Sequence, residues 1–279
     1  MKKELATKVK ERLRAIYADS QKEEKAFRLL SEKLSVYEED SSGGEVFSER
    51  DSILITYGDT IVDGAECGLR VLSKFLKEFV RDSIGNVHLL PMYPYTSDDG
   101  FSVTDYRQIN PELGSWEDVE NLSAEYGLMF DAVINHISKS SDWFQGYLKG
   151  ESPYRDYFIT CDPKADYSAV TRPRALPLLT EFETSEGVKH VWTTFSEDQI
   201  DLNYGCPELL AQIADLLLMY AQKGARYIRL DAVGFMWKEL GTTCMHLPQT
   251  HEIIKLIKDI FRVYSPKTRI ITETNVPHD

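Results

Sequence analysis

The chain has 279 residues, which is long enough to bury a large apolar core in one or two domains. Hydrophobic residues make up 42% of it and charged residues 28%, a composition typical of soluble globular proteins. The formal net charge of −13 argues against general affinity for nucleic acids or anionic membranes. An anionic substrate would also be disfavoured unless arginine side chains offset the negative charge locally.

The cysteines and the amino terminus predict a cytoplasmic protein. The four cysteines stand far apart, without a C-x-x-C pair, at Cys67, Cys161, Cys206 and Cys244. Such spacing favours free thiols in a reducing compartment over a disulfide framework. The first ten residues lack the apolar stretch of a signal peptide, and no segment has the length of a membrane span.

The predicted elements follow one another in a regular order along the chain. Residues 1–40 have apolar side chains at helical spacing among many charges, and Ser41-Ser42-Gly43-Gly44 predicts a linker. From residue 51 onward short apolar runs alternate with helical stretches, which are predicted near 66–81 and from about Ser115. Strands are predicted at 53–57, 87–92, 129–134, 227–233 and 269–273. We therefore divide the chain into a helical extension (1–50), three strands (51–136), an insertion (137–205) and two further strands (206–279).

This alternation of strands and helices predicts parallel βαβ units with a sheet buried on both faces. A doubly wound sheet and a (β/α) barrel both satisfy the pattern. No G-x-G-x-x-G follows the first strand, which weakens the dinucleotide-binding form of the doubly wound fold. Polar residues instead follow the strand ends, as in barrel active sites, at 93–99, Asn135-His136, Asp231 and Glu273. The insertion is too long for an ordinary loop and predicts a small subdomain over the barrel mouth.

Two carboxylates are the first candidates for chemistry. Because strand side chains alternate between faces, Arg229 and Asp231 should project to the same side, where the arginine should lower the pKa of the aspartate. An ionised Asp231 could be a nucleophile, and a structural ion pair is the alternative. Glu273 ends the next strand, where a solvated surface group is the ordinary interpretation. As a pair they suit retaining glycoside chemistry, which needs a nucleophile and an acid with a raised pKa.

The motifs around these residues resemble the α-amylase superfamily of glycoside hydrolases. D-A-V-I-N-H at 131–136, R-L-D at 229–231 and I-T-E at 271–273 are similar to three of its signature regions. The resemblance implies that Asp231 is the nucleophile, Glu273 the general acid/base and Arg229 the arginine beside the nucleophile. It also implies that His136 hydrogen-bonds the sugar at the cleavage subsite.

Further motifs resemble the sucrose phosphorylase subfamily, from about residue 53 to residue 277. They are H-L-L-P-M-Y-P-Y at 88–95, S-D-D-G-F-S-V at 97–103, R-P-R-A-L-P at 172–177, W-T-T-F-S-E-D-Q-I-D at 192–201 and K-E-L-G-T at 238–242. The resemblance implies that Asp98 grips the glucosyl hydroxyls beside Phe101, that Gln199 lies near the sugar and that Arg174 binds phosphate. A guanidinium suits phosphate because it forms bidentate, charge-assisted hydrogen bonds. Without the motifs these residues would be a turn aspartate, a core aromatic, a capping amide and a surface charge.

The implied reaction is a double displacement in which inorganic phosphate, rather than water, takes the glucosyl group and gives α-glucose 1-phosphate. The donor would be sucrose, sucrose 6-phosphate or glucosylglycerate, and the N-terminal helices resemble those of the last two types. No organic cofactor or metal is expected, although Asn135 aligns with a calcium ligand of many amylases. The alternatives are an α-glucosidase or sucrose hydrolase of the same superfamily, and an inactive remnant that binds sugar or a partner.

The number of predicted strands departs from the family pattern. A (β/α)8 barrel has eight strands, and only the first five are predicted here. The third family carboxylate would follow a later strand, and His278-Asp279 lies too near Glu273 to supply it. We therefore expect a C-terminally truncated or split barrel whose exposed strand edges require the missing half as a partner.

Overall fold

The computed structural model describes residues 1–42, 48, 49 and 51–274, and most of these lie in helices and strands. The helices are α1 (Lys3–Tyr17), α2 (Ser20–Leu34), α3 (Gly68–Phe75), α4 (Trp116–Ser123), α5 (Asp142–Leu148), α6 (Pro207–Gln222) and α7 (Pro248–Tyr264). The strands are β1 (Ile53–Thr56), β2 (Asn86–Leu89), β3 (Gly127–Ala132), β4 (His136–Ser138), β5 (Thr160–Cys161), β6 (Leu179–Thr184), β7 (Gly187–Trp192), β8 (Gln199–Asp201), β9 (Ala225–Leu230) and β10 (Arg269–Thr272). The predicted linker glycines, Gly43 and Gly44, and the His278-Asp279 pair lie outside the described residues.

A parallel sheet of five strands in the order β1-β2-β3-β9-β10 carries the fold. Each predicted strand is present, and helices α3, α4, α6 and α7 connect successive strands as βαβ units require. β3 and β9 begin and end earlier than predicted. The reason is visible at Ile134, whose amide donates to the carbonyl oxygen of Ala132 at 2.9 Å. The backbone turns there, so the apolar residues after β3 are buried without extending the ladder.

The N-terminal helices α1 and α2 are packed into the same apolar core as the helices that connect the parallel strands, α3, α4, α6 and α7. One face of α1 and α2 is buried in that core, through Leu5, Val9, Leu13, Ile16, Ala26, Leu30 and Leu34. Charged pairs fix the docking: Arg12 contacts Glu252 at 2.9 Å and Asp259 at 3.1 Å, both on α7. The extension is therefore an additional helical layer over α6 and α7.

The insertion forms two small antiparallel sheets above the ends of the barrel strands. β4 begins at His136, a few residues after β3 ends, and pairs with β8, so that His136 faces Asp201. The strands β5, β7 and β6 form the second sheet. A separate apolar cluster stabilises this region and includes Val170, Leu178, Trp192 and, from the loop before α7, Cys244. The insertion thus lies over the carboxyl ends of the parallel strands, where the candidate site residues are.

Candidate active site

Parallel register brings charged side chains together where the central strands end. Asp131 on β3 is the register partner of Arg229 on β9, and Ile271 on β10 is the partner on the other side. The ladder continues past the strands, because the amide of Asp231 donates to Ala132 and the amide of Glu273 donates to Leu230. Asp231 and Glu273 therefore occupy equivalent positions on neighbouring strand ends.

Arg229 is the centre of this group. Its Nη1 lies 3.0 Å from Oδ1 of Asp231, and its Nη2 lies 3.1 Å from Oε1 of Glu273. The same guanidinium also contacts Oδ1 of Asp131. Arg229 and Asp231 project to the same side, as their spacing predicts. We call Asp131, Arg229, Asp231, Glu273 and His88 the barrel cluster.

The pKa of Asp231 moves in the opposite direction to the sequence prediction. Asp231 is only 6% exposed, and burial raises its pKa from 3.8 to about 7. The charge of Glu273 adds to the rise, while Arg229 acts in the predicted direction but is outweighed. The prediction of a lowered pKa is therefore wrong, because the loss of solvation on burial and the charge of Glu273 together outweigh the attraction of Arg229.

The sequence analysis missed two members of the barrel cluster, His88 and Asp131. Asp131 is 1% exposed, and its Oδ2 lies 2.6 Å from Nε2 of His88 on β2. The hydroxyl of Tyr93 donates to the backbone oxygen of Asp131 at 3.1 Å. A charged residue inside an apolar strand was the available signal, since such a group must be paired when it is buried. Asp131 fixes the guanidinium of Arg229 from the side opposite Glu273.

A second group of predicted site residues meets above the barrel, and we call Asp98, Phe101, His136, Arg174 and Gln199 the insertion cluster. Nε2 of Gln199 donates to Oδ2 of Asp98 at 2.8 Å and to the backbone oxygen of Phe101 at 3.2 Å. Nη2 of Arg174 lies 3.2 Å from Oδ2 of Asp98. Nε2 of His136 is 2.9 Å from the oxygen of Phe101. The five residues come from loops and short strands far apart in the chain.

The two ends of the insertion cluster differ in burial. His136 is buried, which lowers its pKa although the charge of Asp201 acts against this, so the imidazole is neutral near pH 7. The side chain of Arg174 is 44% exposed, and its guanidinium lies 5.8 Å from the ring centre of Phe195. Beneath His136, the ammonium of Lys238 lies 2.6 Å from Asp201 and 3.3 Å from Oδ1 of Asn135. A buried lysine thus neutralises Asp201 at the base of the insertion.

A cavity of about 360 Å³ lies between the strand ends and the insertion. Glu273 and Ala232 line it from the barrel, and Phe195 and Pro173 line it from the insertion. The ring of Phe195 also lies 5.1 Å from that of His136. Larger hollows, of about 970 and 760 Å³, lie near the amino ends of the strands, at the opposite end of the sheet from both clusters. We place the candidate active site at the smaller cavity because Glu273 lines it and shares Arg229 with Asp231 and Asp131.

The described residues contain neither a candidate metal site nor a helix that could span a membrane. No group of three or more histidine, cysteine, aspartate or glutamate side chains in them is arranged to hold a metal ion. None of the helices in this part of the chain is long and apolar enough to cross a bilayer.

Comparison with known proteins gives consistent matches. The family model of the alpha-amylase catalytic domain matches residues 71–279. The chain is 50% identical over 241 residues to a glucosylglycerate phosphorylase of Spirochaeta thermophila, covering 86% of this chain and 41% of that protein. It is 33% identical to a sucrose phosphorylase of Streptococcus mutans, covering 76% of this chain and 46% of the relative. The crystal structure of a sucrose 6F-phosphate phosphorylase from Thermoanaerobacter thermosaccharolyticum superposes with a TM-score of 0.74 at 28% identity, over 82% of this chain and 49% of that one. The chain thus spans less than half the length of these relatives.

Proposed function

This chain belongs to the alpha-amylase family, and from that premise we propose that it provides the catalytic carboxylates of a retaining α-glucosyl phosphorylase. One observation carries the proposal. Asp231 and Glu273 lie at neighbouring strand ends beside a cavity, and Arg229 contacts both. The chain that carries them is 50% identical over 241 residues to a glucosylglycerate phosphorylase. Its (β/α)-barrel fold supports the same conclusion.

The proposed first step combines nucleophilic attack by Asp231 with proton donation by Glu273. A carboxylate oxygen of Asp231 attacks the anomeric carbon, and the bond from that carbon to the leaving oxygen breaks. Glu273 gives its proton to the leaving oxygen. Arg229 holds both carboxylates, so the charge of Asp231 is stabilised when Glu273 is protonated. The product of this step is a glucosyl ester of Asp231.

The insertion cluster is suited to the glucosyl unit. Asp98, Gln199 and the neutral His136 offer hydrogen-bond acceptors and donors around one point. When a sugar binds, hydrogen bonds to its hydroxyls would replace the hydrogen bonds that these three side chains make with one another. Phe101 contributes its backbone oxygen to this group.

Arg174 is proposed to bind phosphate in the second step. The guanidinium of Arg174 contacts Asp98 in this structure. When Asp98 binds a sugar hydroxyl instead, the guanidinium of Arg174 becomes free to turn toward the cavity. Phosphate then attacks the anomeric carbon and gives its proton to Glu273, the bond to Asp231 breaks, and α-glucose 1-phosphate forms with retained configuration. A local arginine of this kind offsets the net charge of −13.

We propose glucosylglycerate as the glucosyl donor in the direction of phosphorolysis. Sequence identity supports this choice. The chain is 50% identical to the glucosylglycerate phosphorylase of Spirochaeta thermophila and 33% identical to the sucrose phosphorylase of Streptococcus mutans. Sucrose and sucrose 6-phosphate are the other candidates. Phosphate and the glucoside are therefore the small-molecule partners we propose.

We also infer that the sheet is completed by further strands, in the same polypeptide or in another one. β1 and β10 are the outer strands of the five, and each pairs on one side only within the described residues. Ile55 on β1 is 62% exposed, and Ile271 on β10 is 38% exposed. Exposed apolar strand edges favour association. We expect the isolated chain to aggregate in light scattering and to form a discrete complex with the remaining segment of its phosphorylase relative. A stable isolated monomer would contradict this inference.

The proposed activity is tested by following phosphate release from α-glucose 1-phosphate with D-glycerate, fructose, fructose 6-phosphate and glycerol, with and without that segment. Asp231→Asn should lower the rate by about 10⁴-fold, and Asp162→Asn, on an exposed turn, should leave it unchanged. With α-glucosyl fluoride, whose leaving group needs no proton, Glu273→Gln should accumulate a glucosyl-enzyme visible by mass spectrometry. Glucose release that ignores added phosphate would instead identify a hydrolase. Activity that survives Asp231→Asn would refute the proposed nucleophile.

A further inference from the structure

We infer that His246 binds the carboxylate of the glucosyl acceptor in the cavity beside Glu273, and so selects a small hydroxy acid over an uncharged polyol. This inference rests on the proposed function and deepens it. His246 lies in the loop that leads into α7 and lines the same cavity as Glu273. The acceptor oxygen that forms or breaks the glycosidic bond must lie near Glu273, so the rest of the acceptor contacts the other walls.

The character of those walls leaves His246 as the polar anchor. Phe195, Phe235, Met245 and Pro173 make much of the lining apolar. Among the described lining residues the ionisable side chains are Glu273 and His246. In the proposed reaction Glu273 transfers a proton at the glycosidic oxygen. His246 is therefore the ionisable side chain of the described lining that can bind a charged group at the other end of the acceptor.

The imidazole of His246 also lacks an internal partner. Its Nε2 is buried and makes no hydrogen bond within the described residues. A buried polar atom without a partner costs about 1–3 kcal/mol, so each one in a folded protein calls for an explanation such as a bound ion or ligand. Nε2 lies 3.1 Å from the place that a Cβ of Gly234 would take, and Gly234 also lines the cavity, so a carboxylate bound there is the partner we infer for this nitrogen.

The backbone around His246 is built to hold the ring in place. His246 has a φ of +54°, a left-handed conformation that is unfavourable for most side chains, and its amide donates to the oxygen of Gly234 at 2.8 Å. A Cβ atom at Gly234 would lie only 2.8 Å from Cε1 of the ring. Glycine at 234 therefore gives the imidazole its space, and the strained backbone aims it.

The hydrogen-bond donor and the helix dipole at His246 favour an anion over a neutral hydroxyl. Burial and the neighbouring His251 lower the pKa of His246, so the neutral ring donates one N–H. α7 starts at Pro248, and its N-cap residue Leu247 provides no side-chain cap, so the positive end of the helix dipole lies within two residues of the imidazole. A carboxylate gains from both groups, whereas the hydroxyl of a polyol gains much less.

Binding can be tested on the complex of this chain with the remaining segment of its phosphorylase relative, by labelling the histidines of this chain alone and following their imidazole signals in nitrogen-15 NMR. His246→Asn identifies the signal of His246 and suits the position, because asparagine tolerates a positive φ. We expect D-glycerate to shift that signal and glycerol, which has a hydroxymethyl group in place of the carboxylate, to leave it nearly unchanged. An unmoved signal, or equal shifts with both compounds, would overturn the inference.

Kinetics separate this inference from the proposed function. In the active form, His246→Ala should raise KM for glycerate by about 10- to 100-fold, the range expected for a hydrogen bond to a charged group, with little change for glycerol. Formation of the glucosyl-enzyme from α-glucose 1-phosphate should not change, and His246→Asn should recover part of the loss. Wild-type protein that transfers glucose to no acceptor would refute the proposed function. Normal transfer with an undiminished preference for glycerate in His246→Ala would refute the role of His246 alone.

Discussion

The barrel cluster and the insertion cluster hold similar charges in different ways. Asp131, Arg229 and Asp231 lie on or next to paired strands, where hydrogen-bond register fixes their positions. Asp98 and Arg174 lie on loops, and their contact joins residues 76 positions apart in the sequence. Asp131 and Asp231 are buried, whereas Arg174 and Asp98 are partly exposed.

This difference separates a rigid site from an adjustable one. Buried charges cannot change partners without a large free-energy cost, so Asp131 and Arg229 keep Asp231 in one place. Exposed ion pairs are weak, at about 0–1 kcal/mol, so Arg174 can leave Asp98 for another anion. Bond making is therefore assigned to the barrel cluster, and exchange of ligands to the insertion cluster.

The largest expected effect is on stability and comes from Asp131. Asp131→Ala should lower the free energy of unfolding by about 3–5 kcal/mol, because it removes the buried partner of His88 and one of the three carboxylates that Arg229 contacts. The matched change in the insertion cluster, Asp98→Ala, should cost less than about 1 kcal/mol. Urea denaturation of both variants measures the contrast. Equal losses would mean that the two clusters are not held differently.

The next effect depends on pH and concerns Asp231. Its folded-state pKa is raised from 3.8 to about 7, so the folded protein binds this proton more tightly than the unfolded chain does. That contribution to stability is fully present below pH 4 and is lost as the pH rises toward 7. Asp231→Asn should therefore increase the free energy of unfolding by about 2–4 kcal/mol at pH 8 and by little at pH 4. A gain that is the same at both pH values would show that the aspartate is not held in a raised-pKa environment.

The smallest effect is expected from Arg174. Arg174→Ala should raise KM for phosphate by about 10-fold, because a charge-assisted contact to the anion is lost. The free energy of unfolding of this variant should change by less than about 0.5 kcal/mol, because the side chain of Arg174 is 44% exposed and is not part of the core. Arg174→Lys keeps the charge but not the planar fork, and should recover only part of the affinity. An unchanged KM for phosphate would remove Arg174 from the proposed site.

Much of the fold could be predicted because its signals are local. The alternation of apolar runs and helical stretches identified all five parallel strands, and side-chain alternation placed Arg229 and Asp231 on one face. Contacts between distant segments were beyond local signals, such as that of His88 with Asp131 across 43 positions. The pKa of Asp231 was mispredicted for the same reason, since burial and the charge of Glu273 exist only after the strands align.

The register of β3, β9 and β10 has a consequence for the assembly of this protein. Because strand side chains alternate, a slip of one residue between β3 and β9 would turn Asp131 away from Arg229. The slipped sheet would lose the buried charge pairing as well as the aligned carboxylates. The alignment of the carboxylates and the fidelity of the fold therefore depend on the same hydrogen-bond ladder, and a chain with a slipped register would lack the arrangement on which the proposed glucosyl transfer rests.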